Sequence, residues 1–132
     1  IQVCDAHVIG SYADHDALRA FANSVDVVTY EFENVPGDAA NALSALKSVR
    51  PSPKALTIIQ DRFAEKSFAR NIGIRTTPFA LVDSDASLEE ALATVGVPSV
   101  LKTSRLGYDG KGQRMVRSAA DLRKAWDDLH TW

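Results

Sequence analysis

The sequence predicts an α/β fold, and three observations lead to that class. Residues 25–32 (VDVVTYEF) contain the β-branched run Val27, Val28 and Thr29, which is typical of a strand covered on both faces in a parallel sheet. Apolar residues at helical spacing flank this strand on both sides. From residue 79 onward the pattern becomes strand, helix, strand, loop, strand, helix. We therefore predict two regions, residues 1–75 and 76–132, with a boundary near Thr76.

Helix starts are predicted where a side chain or a proline suits the first helical turn. The predicted starts are Asp14, Pro36 with Asp38, Ser52-Pro53, Asp61, Ser87 with Glu90 as a capping box, and Ser118. Gly73 and Gly96 are predicted to end two of these helices. Phe63, Phe68 and Ile72 are predicted core positions of the helix that starts at Asp61. Further strands are predicted at residues 6–9, 79–82, 98–103 and 113–116, and a short edge strand or linker at residues 49–53.

The composition excludes several classes of protein. Apolar residues make up 45% of the 132 residues and charged residues 24%, with a net charge of −2, which is ordinary for a globular protein and gives no sign of nucleic-acid or anionic-membrane binding. The single cysteine, Cys4, excludes an internal disulfide and fits a reducing compartment. No apolar run approaches membrane-spanning length, so we predict a soluble cytoplasmic protein.

Both ends of the chain are predicted to continue in a longer protein. Residue 1 is Ile1 rather than methionine, and the chain opens inside an extended segment. At the other end, the apolar stripe Leu122, Ala125, Trp126 and Leu129 predicts a helix that reaches Trp132 with no glycine cap.

The segment from Lys102 to Gln113 (KTSRLGYDGKGQ) has the pattern of two strands joined by a glycine-rich turn. Glycines let backbone N–H groups approach an anion, and the lysines and arginine around them add positive charge. A polyphosphate is therefore the candidate ligand. The chain after Gly112 is extended, which distinguishes the segment from a strand–loop–helix phosphate loop. A glycine-rich hairpin turn without function is the alternative.

Two further side chains are candidates, each with a plain alternative. Glu31 lies where the predicted parallel strand ends, which is where ligands bind in open α/β sheets, although a solvated strand end fits as well. Arg62, in the first turn of its helix, is either a surface charge or a contact to an anion near the helix N-terminus. The scattered His7, His15 and His130 predict no zinc site, and no paired carboxylates suited to magnesium are found.

Four stretches together resemble the N5-carboxyaminoimidazole ribonucleotide synthetase family of the ATP-grasp superfamily. They are residues 26–36 (DVVTYEFENVP), 53–69 (PKALTIIQDRFAEKSFA), 73–79 (GIRTTPF) and 100–113 (VLKTSRLGYDGKGQ). The resemblance implies the end of a Rossmann-like pre-ATP-grasp domain in residues 1–75, followed by the first, small α+β subdomain of an ATP-grasp fold in residues 76–132. It also implies a homodimeric ligase of purine biosynthesis that uses ATP, bicarbonate, and magnesium or manganese to carboxylate aminoimidazole ribonucleotide.

The resemblance also implies roles for individual residues. Arg62 and Lys102 would contact ATP phosphates, and residues 107–113 would fold over the nucleotide as a mobile lid. The lid residues implied to bind ATP are Gly107, Tyr108, Asp109, Gly110, Lys111, Gly112 and Gln113. Glu31, Tyr108 and Lys111 would lie near the aminoimidazole ribonucleotide. The family's metal-binding carboxylates have no counterpart in these residues, so neither a catalytic residue nor a metal ligand is predicted in this chain.

Two other functions remain open from the sequence. Another ATP-grasp ligase, such as a formate-dependent glycinamide ribonucleotide transformylase, also has a Glu-x-Glu strand end and a Gly-Lys-Gly-Gln loop, but Tyr108 and Asp109 favour the carboxylating family over the serine-rich loop that the transformylase calls for. The other alternative is a non-catalytic nucleotide-binding module, which would not need the metal-binding carboxylates that are missing here.

Overall fold

The computed structural model describes residues 3–107 and 110–129, which form two compact units, Ile1–Ile59 and Gln60–Trp132. The first unit contains α1 (His15–Asn23), β1 (Val27–Thr29), α2 (Gly37–Ser44), β2 (Ser48–Arg50) and α3 (Pro53–Ile59). The second contains α4 (Arg62–Asn71), α5 (Asp85–Val95), β3 (Ser99–Lys102), β4 (Gln113–Val116) and α6 (Ala119–Leu129). The predicted α/β class is confirmed.

In the first unit, β1 and β2 pair in parallel, with Val28 opposite Val49. Both of these residues are buried, and they pack with Ala22 of α1 and Leu43 of α2. The predicted coverage of both faces of β1 is wrong for the described residues, since Val27 is 55% exposed. The strand is also shorter than predicted, and residues 6–9 do not form the predicted strand.

In the second unit, β3 and β4 form an antiparallel hairpin that flanks the glycine-rich segment, as predicted. Val116 of β4 is fully buried against Leu88 of α5 and against Leu122 and Ala125 of α6. A further tie joins the two helices, because the carboxylate of Asp85 accepts hydrogen bonds from Arg123 (2.7 Å) and from the indole of Trp126 (3.1 Å). Residues 79–82 do not form the predicted strand.

Most predicted helix starts are confirmed, because they depend on hydrogen bonds within one turn. The side chains of Asp14 and Asp61 cap α1 and α4, and the hydroxyls of Ser52 and Ser118 accept from backbone N–H groups at the starts of α3 and α6. The predicted start of α5 is wrong. The N-cap is Ser84, and Ser87 is the third helical residue. The Ser87 hydroxyl accepts a hydrogen bond from the backbone N–H of Ser84, which completes the capping box in place of a glutamate.

The predicted core role of α4 is wrong for its large apolar residues. Phe63, Phe68 and Ile72 are 37%, 44% and 56% exposed, and no residue of the helix is buried. Helical spacing shows that apolar residues share a face but not that another element covers it.

In the part of the chain that the structure describes, no helix is long and apolar enough to cross a membrane.

Candidate functional site

A cavity of about 750 Å³ lies in the second unit, within the range of roughly 300–1,000 Å³ that ligand pockets occupy. The N-terminal turn of α4, residues 77–82, α5, β3 and α6 contribute to its lining. The charged side chains in that lining are three cations and one carboxylate, namely Arg62, Lys66, Lys102 and Glu65. The excess of positive charge suits an anionic ligand.

Arg62 and Lys102 both line this cavity, as a shared anion site requires. Asp61 caps α4 by accepting from the backbone N–H groups of Phe63 and Ala64 at 3.0 and 2.9 Å, and this fixes Arg62 in the first helical turn. Lys102 is the last residue of β3, paired with Gln113 of β4, and its side chain is exposed. The structure therefore brings together two of the side chains that the sequence singled out, from positions 40 residues apart in the chain.

The described part of the glycine-rich segment has a tightly defined base. The N–H of Thr103 donates to the carbonyl oxygen of Gly112 at 2.8 Å. A Cβ atom at Gly107 or at Gly112 would lie 2.9 or 2.6 Å from the hydroxyl of Thr103, too close for any other residue to fit without displacement. Gly112 also has a φ of 65°, in the left-handed region that glycine adopts readily. Glycine is thus required for close packing here.

Lys111 has an exposed side chain and is not among the residues that line the cavity. Gly110, with a φ of 78°, precedes it. Tyr108 and Asp109, also predicted to bind ATP, lie outside the described residues. Arg62 and Lys102 therefore line the same cavity, whereas Lys111 is not among its lining residues, and the ATP contacts implied for all three stay predictions.

Glu31 lies in the first unit, two residues after β1, and is exposed. It lines a pocket of about 100 Å³ together with Tyr30, Phe32 and Glu33. This volume is well below the roughly 300 Å³ at which ligand pockets begin, so these residues alone do not enclose a ribonucleotide. Burial raises the pKa of the Tyr30 phenol, because desolvation disfavours the phenolate.

Two lining residues, Thr103 and Lys66, were not predicted from the sequence. The side chain of Thr103 packs closely against Gly107 and Gly112. The ammonium group of Lys66 donates a hydrogen bond to the hydroxyl of Thr77 at 3.0 Å and lies 5.5 Å from the centre of the Phe79 ring. A polar residue directly after a strand lysine was the only signal for Thr103. Nothing in the helical pattern indicated that Lys66, unlike other surface lysines, would line a cavity.

The described residues do not fit a metal ion. Among them, no group of three or more histidine, cysteine, aspartate or glutamate side chains is arranged to hold one. Divalent cations at phosphoryl-transfer sites need oxygen ligands, usually carboxylates. The part of the chain between residues 3 and 129 that the structure describes therefore supplies cations and backbone groups but no metal site.

Comparison with known proteins gives two adjacent domain matches. Residues 1–60 match the ribonucleotide synthetase preATP-grasp domain, and residues 67–131 match the ATP-grasp domain. An N5-carboxyaminoimidazole ribonucleotide synthase from Pseudomonas aeruginosa is 46% identical over 123 residues, which cover 93% of this chain and 34% of that protein. The chain thus spans about a third of the length of the curated relatives it matches.

Solved structures agree with these matches. The Staphylococcus aureus N5-carboxyaminoimidazole synthetase complexed with ADP superposes with a TM-score of 0.90 at 31% identity, over 98% of this chain and 35% of that one. The Aspergillus clavatus N5-carboxyaminoimidazole synthase in complex with ADP and 5-aminoimidazole ribonucleotide gives 0.75 at 30% identity, over 96% and 33%. A pre-ATP-grasp domain followed by an ATP-grasp domain is the class that these matches define. Within that class, the chain is similar over most of its length to N5-carboxyaminoimidazole ribonucleotide synthases.

Proposed function

We propose that the protein carrying this chain is an ATP-dependent carbon–nitrogen ligase of purine biosynthesis that carboxylates 5-aminoimidazole ribonucleotide with bicarbonate. The observation that carries the proposal is the cavity that Arg62 and Lys102 share. The names of the relatives and the ADP and 5-aminoimidazole ribonucleotide of the Aspergillus clavatus complex support the choice of reaction and substrates. They favour the carboxylating ligase over the formate-dependent transformylase.

The proposed reaction has two steps. A bicarbonate oxygen attacks the γ-phosphorus of ATP, the bond to the β-phosphate oxygen breaks, and carboxyphosphate and ADP form. The amine of 5-aminoimidazole ribonucleotide then attacks the carboxyl carbon, loses a proton, and phosphate leaves. Phosphoryl transfer depends mainly on positioning and charge neutralisation, which is the work proposed for Arg62 and Lys102. The apolar part of the cavity lining, with Phe63 and Phe79 in it, suits the base of a nucleotide.

The remaining roles are proposed on the family resemblance. Gly107, Tyr108, Asp109, Gly110, Lys111, Gly112 and Gln113 would contact ATP, and Glu31, Tyr108 and Lys111 the ribonucleotide. A lysine at position 111 gives a phosphate a point charge and not the planar bidentate fork of an arginine. Excluding water from carboxyphosphate would protect it from hydrolysis.

Magnesium or manganese, a homodimeric assembly and a cytoplasmic location are also part of the proposal. The described residues themselves do not fit such a metal ion. The cytoplasmic location is supported by the single cysteine, which suits a reducing compartment.

The test is Lys102→Ala in the full-length protein. We expect kcat/KM for ATP turnover dependent on bicarbonate and aminoimidazole ribonucleotide to fall by roughly 30- to 1,000-fold, corresponding to about 2–4 kcal/mol of lost transition-state stabilisation. The measurement is phosphate release with and without each co-substrate. Lys124→Ala, which removes an exposed lysine of α6, is the matched control and should leave turnover unchanged.

Two results would contradict the proposal. Turnover by Lys102→Ala within about twofold of the unmodified enzyme would remove the role of Lys102, since a preorganised charge contact is worth more than that factor. Phosphate release by the unmodified enzyme that depends on formate and not on bicarbonate would assign the transformylase reaction instead.

A further inference from the structure

The contact that leads furthest beyond the proposed function joins Arg62 to the glycine-rich segment. The guanidinium Nη2 of Arg62 donates to the carbonyl oxygen of Gly107 at 2.6 Å. The backbone N–H of the same residue donates to the carbonyl oxygen of Ser104 at 3.0 Å. Arg62 therefore holds the segment at two points, and the side-chain contact spans 45 residues of sequence.

The neighbouring residues strengthen this attachment. Arg105 donates to the side-chain oxygen of Gln60 at 3.1 Å, so a second arginine ties the segment to the residues just before α4. Leu106, between the two tied positions, has a φ of 62° and is 71% exposed. A left-handed conformation at a leucine costs free energy, and the surrounding hydrogen bonds hold it there.

The Gly112 end of the segment is held by Thr103. The N–H of Thr103 donates a hydrogen bond to the carbonyl oxygen of Gly112. Gly107 and Gly112 both lie close to the Thr103 side chain, so the two ends of the segment are near each other. The Gly107 end is thus held by the Arg62 side chain and by packing against Thr103, while the Gly112 end is held by its hydrogen bond to Thr103 and by the same packing.

A guanidinium group can serve a segment and an anion at once. It carries five N–H donors in a planar fork, whereas a lysine ammonium carries three donors on one atom. The bond to Gly107 uses donor capacity of Nη2 and leaves the other nitrogens able to donate towards the cavity that Arg62 lines.

We propose that Arg62 is a positioning residue for the glycine-rich segment: through Gly107 it sets the base of the segment beside the cavity before nucleotide binds, in addition to contacting phosphate. This inference rests on the proposed function for the identity of the ligand. The positioning itself is a property of the protein without nucleotide. The two ideas are therefore separable by experiment.

The first experiment uses Arg62→Lys in the full-length protein. This variant keeps the positive charge but loses the fork. Without nucleotide, we expect backbone amides of residues 103–107 to exchange hydrogen about 5-fold faster or more, as the loss of one charge-assisted hydrogen bond implies. With substrates, we expect kcat to fall about tenfold while KM for ATP changes by less than about threefold, because the charge remains. Arg117→Lys, which alters an exposed arginine of the second unit that does not line the cavity, is the matched control and should change neither quantity.

A second variant approaches the same contact from the segment. Gly107→Ala leaves Arg62 intact but places a Cβ atom 2.9 Å from the Thr103 hydroxyl and 3.2 Å from the Lys111 carbonyl oxygen. We expect the same faster exchange and the same fall in kcat. Hydrogen exchange of the backbone amides in α5 and α6 reports whether each variant is folded. If one variant unfolds, the other still tests the positioning role of Arg62.

The outcomes separate the two proposals. Unchanged exchange of residues 103–107 in the folded variants, with KM for ATP raised in Arg62→Lys, would overturn the positioning role and leave Arg62 as a phosphate contact. Faster exchange with the expected loss of kcat supports the positioning role, whereas faster exchange with unchanged kcat overturns it. Failure of the unmodified protein to bind ATP in a calorimetric titration would refute the proposed function, and the exchange of the nucleotide-free protein would still decide whether Arg62 positions the segment.

Discussion

At the scale of single residues, Tyr30 is, with Ser67, one of two described residues whose buried hydroxyl lacks a hydrogen-bond partner. Its hydroxyl is buried and has no hydrogen-bond partner among the described residues. A buried polar group without a partner costs about 1–3 kcal/mol, and burial also raises the pKa of the phenol. The hydroxyl therefore destabilises the fold, or it is retained for a role that folding does not explain.

Tyr30→Phe tests this interpretation. We expect the free energy of unfolding near neutral pH to stay the same or rise by up to about 1 kcal/mol, since an unsatisfied hydroxyl is removed. Urea unfolding of the full-length protein and of the variant measures the difference. Tyr12→Phe, at a tyrosine that is 48% exposed, is the control. A loss of more than about 1 kcal/mol would mean that the hydroxyl has a partner in the folded protein.

The same variant should change the stability at high pH. Because the pKa of Tyr30 is raised on folding, the unfolded chain ionises first, near its ordinary value of about 10. Stability is therefore independent of Tyr30 ionisation below about pH 10, and it falls as the pH rises from there through the folded-state pKa. We expect the decline in unfolding free energy above about pH 10 to be shallower in Tyr30→Phe. Equal slopes would show that Tyr30 ionises alike in both states.

At the scale of elements, α4 combines a well-formed start with an uncovered apolar face. Its N-terminal turn is fixed by the Asp61 cap and carries Arg62, while Phe68 and Ile72 remain exposed. Its ties within the second unit include the hydrogen bonds of Arg62 and a ring contact between Phe63 and Phe79 at 5.6 Å. The position of Arg62 at the cavity therefore depends strongly on the cap.

Asp61→Ala is the corresponding prediction. Loss of the two capping hydrogen bonds should lower the free energy of unfolding by about 1 kcal/mol and raise KM for ATP, because the first turn of α4 frays and Arg62 loses its fixed position. Thermal unfolding and steady-state kinetics of the full-length protein measure the two effects. Asp61→Asn should restore most of the stability, since asparagine is an equally good cap. If Asn and Ala lowered stability equally, the capping explanation would be wrong.

At the scale of the whole molecule, the described residues supply some of the groups that the proposed reaction needs. The described residues supply a cation-lined cavity and a glycine-rich segment, yet they contain no metal-binding cluster. The relatives it matches are about three times as long. Metal ions that bridge the phosphates neutralise much of the developing charge in phosphoryl transfer, and the described residues do not bring together the carboxylates that would hold them.

We therefore expect the isolated 132-residue chain to release no phosphate from ATP above the buffer rate. The measurement is phosphate release with bicarbonate and aminoimidazole ribonucleotide present, with the full-length protein as the positive control. Circular dichroism shows whether the isolated chain is folded. Turnover dependent on bicarbonate by a folded 132-residue chain would contradict the expectation and would place the whole site in these residues.

The features that the sequence predicted correctly are those with short-range causes. The caps Asp14 and Asp61 and the strand bounds of β4 follow from hydrogen bonds and alternation within a few residues. The error at α5 has the same origin, because Ser84 and Ser87 both offer a capping hydroxyl and only the backbone conformation distinguishes them. For the site, Lys102 was a candidate because it ends a predicted strand beside the glycine-rich turn, whereas Arg62 stayed open between a surface charge and an anion contact until the family resemblance implied an ATP contact.

By itself, the sequence determined the α/β class, most helix starts, the parallel strand, and the hairpin that carries the glycine-rich segment. Only the tertiary structure decided that Arg62 holds Gly107, that Thr103 requires glycine at position 112, that Lys111 does not line the cavity, and that the apolar face of α4 is exposed. The physical reason is range. Caps and strand patterns arise from neighbours within a few positions, whereas these contacts join side chains and backbone groups that only the folded chain brings together.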